Sequence, residues 1–185
     1  MEHKGTVQIE TERLVLRRFI PEDARAMFDN WASSDAVTKY LTWPTHSSVE
    51  IAQWVVNDWV SHYEDPKYYQ WAIVPKDFGQ PIGSIAAVKV EDEVAMIEIG
   101  YCIGEKWWGK GIVTEAFQAL IAFLFENVGV NRILARHDSQ NPASGRVMQK
   151  CGLTYEGTLR KADRNNTGIC DACMYSILKN EYFQH

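Results

Sequence analysis

The residues whose types and spacing most directly suggest chemistry are Lys106-Trp107-Trp108-Gly109-Lys110-Gly111, which run straight into an apolar helical pattern. Gly109 and Gly111 have no Cβ to hold a ligand away. A helix that begins immediately after them leaves its first backbone N–H groups without intrahelical partners. Those donors, the partial positive charge of the helix start and the ammonium groups of Lys106 and Lys110 together suit a pyrophosphate. The third glycine of the dinucleotide fingerprint is missing, as is the Gly-Lys-Ser/Thr ending of a P-loop, which counts against both a Rossmann site and a nucleoside-triphosphate site.

The elements around this turn follow from periodicity. From Val94 to Ile103 the chain alternates, with Ile97, Ile99, Tyr101 and Ile103 on one face and Met96, Glu98, Gly100 and Cys102 on the other, the pattern of a strand. Val113, Ala116, Phe117, Leu120, Ile121 and Leu124 then recur at steps of three and four, and Gly129 stands where a left-handed helix cap is wanted. Upstream, Thr11 to Phe19 reads as the first strand, Pro21 opens a helix and Ser47-Ser-Val-Glu50 is a capping box for the next. Tyr68–Val74 and Pro81–Val90 are strands that meander into the central one. Arg132–Asp138 follows the long helix, which implies a parallel pairing by a right-handed crossover. Asn141-Pro142 starts a shorter helix ending at Gly152, and Leu153–Leu159 and Ala172–Leu178 are the last strands.

The 185 residues suit one domain, and 46% hydrophobic with 23% charged residues is the composition of a globular protein. No apolar run approaches the ~20 residues that cross a bilayer, and the N-terminus has no basic-apolar signal region, so a cytoplasmic location is expected. A net charge of −5 with no basic stripe argues against nucleic acid and suits a cationic acceptor such as an amine. Cys102, Cys151, Cys170 and Cys173 form one C-x-x-C with two outliers. No second pair or paired histidines accompany it, so reduced structural thiols are expected rather than a metal site.

Lys106-x-x-Gly109-x-Gly111 resembles the Arg/Gln-x-x-Gly-x-Gly/Ala signature of the GNAT acetyltransferases, with lysine in the first position as a departure. Trp108-Gly-Lys-Gly-Ile-Val-Thr-Glu-Ala116 is similar to its form in the branch of ribosomal-protein N-terminal acetyltransferases (RimJ/RimL-like), which also commonly begins with Thr-Glu-Arg-Leu-x-Leu-Arg, present here from Thr11. A second match is Asn141-Pro-Ala-Ser144, Arg146-Val-Met-Gln-Lys-Cys-Gly-Leu153 and Glu156-Gly157. The resemblance runs from Thr11 to Leu178. It implies an α/β GNAT fold: a mixed, mostly antiparallel seven-stranded sheet, splayed at its central strands, with helices on both faces.

The resemblance also implies that the amides of Gly109, Lys110, Gly111, Ile112 and Val113 hold the pyrophosphate of acetyl-CoA, with Lys106 beside them. The backbone of Tyr101, Cys102 and Ile103 then pairs with pantetheine where a bulge on the central strand, compatible with Gly100, opens the sheet, and an N–H near Tyr101 or Cys102 stabilises the oxyanion. Asn141 bonds the pantetheine arm and Ser144 lies near the sulfur. Many relatives protonate the departing thiolate with a tyrosine four residues before the helix-ending glycine; that position is Met148 here, so the role passes to Ser144. Read without the resemblance, Asn141 is a helix cap and Ser144 a small helix residue.

Direct acetyl transfer needs a neutral amine and a proton acceptor. An α-amine of pKa about 7.7–8.0 is roughly one-tenth neutral at pH 7, whereas a lysine near about 10.4 is far less so, and a modest carboxylate base suffices for the former. Glu98 qualifies by position, as the charged residue on its face of the central strand; the alternative is a salt bridge to an arginine of a neighbouring strand. Asp163 matches an acidic position of the branch, or is an ordinary turn acid. Trp43, in the loop Leu41–His46 between helices, either contacts the acceptor or packs the loop down. His137, at a strand end, reads as structural. The expected activity is acetyl-CoA-dependent acetylation of a primary amine, of a protein N-terminus first, by a monomer or homodimer. A polyamine, aminoglycoside or metabolite acceptor, a non-catalytic acyl-CoA sensor and a nucleotide-binding regulator are the alternatives.

Overall fold

Leu14, Leu16, Trp71 and Ile73 are fully buried against one set of helices, while Ala72 and Val74 are buried against another. That alternation is what a strand produces when both faces of its sheet are covered. The computed structural model describes residues 1–184. The strands are β1 (Ile9–Glu10), β2 (Leu14–Arg17), β3 (Gln70–Pro75), β4 (Gly83–Glu91), β5 (Met96–Ile103), β6 (Arg132–Asp138), β7 (Thr154–Asn165) and β8 (Gly168–Leu178). The helices are α1 (Ala24–Met27), α2 (Asp35–Thr38), α3 (Val49–Ser61), α4 (Ile112–Phe123), α5 (Pro142–Lys150) and α6 (Lys179–Tyr182). The sheet order is β1-β2-β3-β4-β5-β6-β8-β7, antiparallel except at β5–β6.

The sheet has eight strands rather than seven because Ile9–Glu10, upstream of the expected first strand, pairs with Leu16 and Val15 of β2, while the expected strand itself begins only at Leu14. The Thr11 N–H donates to the Leu14 carbonyl and its hydroxyl accepts the Leu14 N–H, both at 3.0 Å, so Thr11-Glu12-Arg13 turns the chain between β1 and β2. The capping box at Ser47 is absent as well: α3 starts after Ser48, whose side chain makes no cap bond. Phe117 and Leu120 of α4, and Leu124 in the helical turn that continues it, are fully buried, each contributing about 1.5–3 kcal/mol of apolar burial. Gly129 closes this helical run with φ 76° and ψ 34°, as its residue type predicts. One core joins α4 and α5 to the sheet; the other joins α1 and α3 to its opposite face.

Candidate active site

The glycine turn enters α4 with both Gly109 and Gly111 at φ +72°, a conformation that a Cβ would strain. No atom lies within 4 Å of where a Gly109 side chain would begin. The N–H groups of Gly109, Lys110 and Gly111 donate to no other backbone group among the described residues. Trp108 is turned aside, its indole N–H donating to the Ile103 carbonyl at 2.9 Å, and Trp107 lies against Phe78. Lys106 and Lys110 are exposed beside the turn, Ile112 is buried in the core and Val113 is half-buried.

Arg13 is a charge of this region that the sequence did not single out. Its guanidinium donates to the Lys110 carbonyl at 2.9 Å and to Glu115 at 2.6 Å, and it lies 3.6 Å from the Cβ position of Gly111. Burial pushes the Glu115 carboxyl up, but bonds from Thr11 and from the backbone and side chain of Arg13 outweigh it and hold the carboxyl below its ordinary range. The Thr11–Arg13 turn is therefore pinned to the first turn of α4, which gives the Thr-Glu-Arg-Leu stretch a physical purpose.

β5 and β6 pair only from Met96 to Glu98, against Arg132 to Leu134. Beyond that β5 follows β4 to Ile103 while β6 follows β8 to Asp138, so the sheet opens between them. The Gly104 N–H donates to Ile82 on the β4 side. Alternation along the strand then turns the amides of Cys102 and Gly100 toward β4 and those of Tyr101 and Ile103 toward the gap. This corrects the expectation for Cys102, whose backbone is committed to β4. Its thiol, near Ser84 at 3.6 Å, is pushed up in pKa by burial and is a poor nucleophile. The bulge is also displaced from the expected strand: the register shift leaves Val88 of β4 as the extra residue, and a Cβ on Gly100 would meet Val88 Cγ1 at 2.9 Å.

Across the gap stands α5. Asn141 occupies its N-cap position, yet its side chain makes no cap bond, so helix capping does not account for it. Ser144 faces β5 and meets the Tyr101 hydroxyl, 3.0 Å from Ser144 Oγ and 3.1 Å from its carbonyl oxygen. Met148 is buried in the core at 1% exposure. His137 Nδ1 lies 2.7 Å from the Asp138 carbonyl, and its ring packs so closely under Gly145 that a Cβ there would sit 2.6 Å from Nε2. His137 is thus a packing residue.

The two candidate bases meet on the other face of the sheet. Arg136 of β6 lies 3.3 Å from Glu98 and 2.9 Å from Asp163 through the same Nε. The Glu98 side chain is 7% exposed and that of Asp163 27%. The neighbouring-strand salt bridge weighed for Glu98 therefore exists, and it includes Asp163. Asp163 is aimed there by a register shift between Leu159 and Asp163 that carries Lys161 at φ 52°. Cys102 packs with the α1–α3 core, and alternation puts Glu98 on that same face, opposite Tyr101.

Trp43 is half-buried against the same core, its ring 5.1 Å from His46. His46, at the end of the same loop, is buried at 5% exposure. The loop is fastened to the β7–β8 turn by Asn166, whose side-chain N–H groups donate to the carbonyls of Thr38 and Trp43, both at 2.8 Å. Cys170 and Cys173, three apart on β8, point to opposite faces: Cys170 sits beside Asn165 and Cys173 beside Thr158. All four thiols are free, and no group of three metal-ligating side chains occurs among the described residues. No helix there is long and apolar enough to cross a membrane.

Residues 13–154 match the acetyltransferase (GNAT) domain family. The uncharacterised N-acetyltransferase p20 of Bacillus licheniformis is 31% identical over 172 residues, spanning 93% of this chain and 96% of the relative. The ribosomal-protein-serine acetyltransferase of Escherichia coli K12 is 32% identical over 95 residues, 51% of this chain and 53% of that protein. The crystal structure of a GNAT-family acetyltransferase from Bacillus anthracis superposes with a TM-score of 0.82 at 27% identity, over 95% of this chain and all of the other. An opened central sheet beside a glycine turn, together with these similarities, establishes that the chain belongs to the GNAT acetyltransferase family.

Proposed function

We propose that this acetyltransferase moves the acetyl group of acetyl-CoA directly to a primary amine, with a protein N-terminal α-amine as the preferred acceptor. The observation that carries the reading is the gap between β5 and β6, which has the glycine turn and Ser144 on one side of the sheet and the Glu98–Arg136–Asp163 cluster on the other. A thioester and an amine can approach such a gap from opposite faces without an acyl-enzyme step.

Acetyl-CoA suits the residues present. Gly109 to Val113, with Lys106, Lys110 and Arg13, hold its pyrophosphate; the backbone of Tyr101 and Ile103 and the amide of Asn141 hold the pantetheine arm. Bound there, it supplies an activated acetyl group. The Tyr101 N–H, turned into the gap, polarises the thioester carbonyl, Ser144 donates a hydrogen bond to the departing sulfur, and Asp163 or Glu98 accepts the proton of the attacking amine.

Support for an α-amine comes from the modest base on offer and from the similarity to a ribosomal-protein-serine acetyltransferase over half the chain. Trp43 and the Asn166-fastened loop form part of the acceptor wall. The test is thiol release from acetyl-CoA with short peptides bearing free N-termini set against polyamines, amino sugars and lysine side chains blocked at the α-amine. Turnover highest on peptides supports the reading; turnover confined to small amines replaces the acceptor, and binding of coenzyme A without turnover on any amine replaces catalysis with sensing.

A further inference from the structure

Met148 of α5 is buried in the core and has no proton to give. A tyrosine hydroxyl nevertheless reaches the same helix from the strand opposite. Tyr101 crosses the gap from β5, its ring 5.6 Å from Phe117 of α4 and its hydroxyl within hydrogen-bond distance of both oxygens of Ser144. We infer that Tyr101 is a positioning residue for Ser144, donating a hydrogen bond to Ser144 Oγ so that the serine's own hydrogen is free to point at the thioester sulfur. This inference rests on the acetyl-transfer reading of the site.

The tyrosine hydroxyl has a single hydrogen. Donated to the Ser144 carbonyl, it leaves Oγ–H to bond back to the tyrosine oxygen; donated to Oγ, it turns the serine hydrogen outward. The two arrangements differ by rotation of hydroxyls alone, so an acceptor arriving in the gap selects the second. A chain of this kind strengthens each of its bonds. Burial pushes the Tyr101 phenol well above its ordinary value, so it remains a neutral donor across the working pH range and gives up no proton itself.

The test is the ionisation of coenzyme A bound to the intact protein, followed by thiolate absorbance, in wild type, Tyr101→Phe, Ser144→Ala and the double variant. Tyr101→Phe keeps the ring against Phe117 and removes only the hydroxyl. Each single variant is expected to lower the ionisation constant of the bound thiol by about threefold to tenfold, the worth of one hydrogen bond, and the double variant no further than Ser144→Ala. In turnover, kcat should fall in Tyr101→Phe with the KM for acetyl-CoA within about twofold of wild type. A shift in Ser144→Ala but none in Tyr101→Phe overturns the inference and leaves the function standing. Additive shifts overturn it by showing that Tyr101 acts on the sulfur without Ser144. Should wild type bind coenzyme A yet acetylate no amine, the underlying reading fails, while the thiol titration still decides whether the two hydroxyls act as a pair.

Discussion

Arg136 holds Asp163 at 2.9 Å from the guanidinium Nε, and the same nitrogen lies 3.3 Å from Glu98. One cation thus serves two carboxylates, and the pair differ in depth: the Asp163 side chain is 27% exposed and that of Glu98 7%. A base that must return its proton to water each cycle is better placed at the more accessible position. Asp163→Asn is therefore expected to lower kcat on an amine acceptor by about 10²-fold, and Glu98→Gln by less. Steady-state rates on one peptide acceptor check this, and a larger loss in Glu98→Gln reverses the assignment.

Gly111→Asp puts a carboxylate at the mouth of the turn, on a backbone at φ +72° and beside the Arg13 guanidinium. The new charge opposes an anion there and competes for Arg13. Calorimetric affinity for coenzyme A should fall by at least about 10²-fold, since a charge placed against a charge costs more than a lost contact. An unchanged affinity would mean that the pyrophosphate binds elsewhere.

The parts of this site legible in the sequence are those made by neighbours along the chain. The glycine turn, the helix after it and the alternation of β5 are local patterns, and they survive into the structure with shifts of a residue or two. What the sequence did not disclose depends on contacts between distant segments. Arg136 and Asp163 meet only because β6 and β7 flank β8, and Asp163 reaches Arg136 only past an irregular stretch that no periodicity announces. Only the resemblance marks Tyr101, and for its backbone alone; its hydroxyl acquires a partner only when α5 folds back over the gap. The eighth strand is hidden for a similar reason: it is only two residues long, Ile9–Glu10, and the turn that lays it beside β2 depends on the Thr11 hydroxyl reaching Leu14 and Glu115 of α4.

Gly145 is held to glycine by His137, whose Nε2 lies 2.6 Å from the position a Cβ would take. The obstacle is an imidazole ring fixed by its own bond near the Asp138 carbonyl, so it has little room to retreat. Gly145→Ala gains helix propensity worth about 1 kcal/mol, but overpacking costs about 1–3 kcal/mol. A net loss of stability in urea is expected, and pairing the change with His137→Ala should recover part of it. A stabilised single variant would show that the ring moves freely.

Asn166 is the fastening between the Trp43 loop and the β7–β8 turn, through two side-chain bonds of 2.8 Å to Thr38 and Trp43. Asn166→Ala deletes both, while its backbone N–H still reaches the Leu41 carbonyl at 3.1 Å. The loop should loosen without detaching. The KM for the amine acceptor is expected to rise about threefold to tenfold, with the KM for acetyl-CoA unchanged, because the Gly109–Gly111 turn lies elsewhere. A rise confined to acetyl-CoA would take the loop out of the acceptor wall.

His46 lies buried at the end of this loop with no partner for Nδ1 among the described residues, and burial lowers its pKa from the ordinary 6.5. The folded protein therefore keeps the ring neutral at a pH where the unfolded chain already binds a proton. Stability from this group is complete above about pH 6.5 and is lost as pH falls from there toward the depressed folded value. Carboxylates such as Glu115 and Asp92, the latter held to about 2 by Lys67 and His3, exert their effect at more acid pH. The urea midpoint should thus decline as pH falls below about 6.5 in wild type, and less in His46→Leu, where nothing remains at this position to protonate. Equal slopes for the two proteins would mean that the ring reaches water in the folded state, and with it that the Trp43 loop stands open.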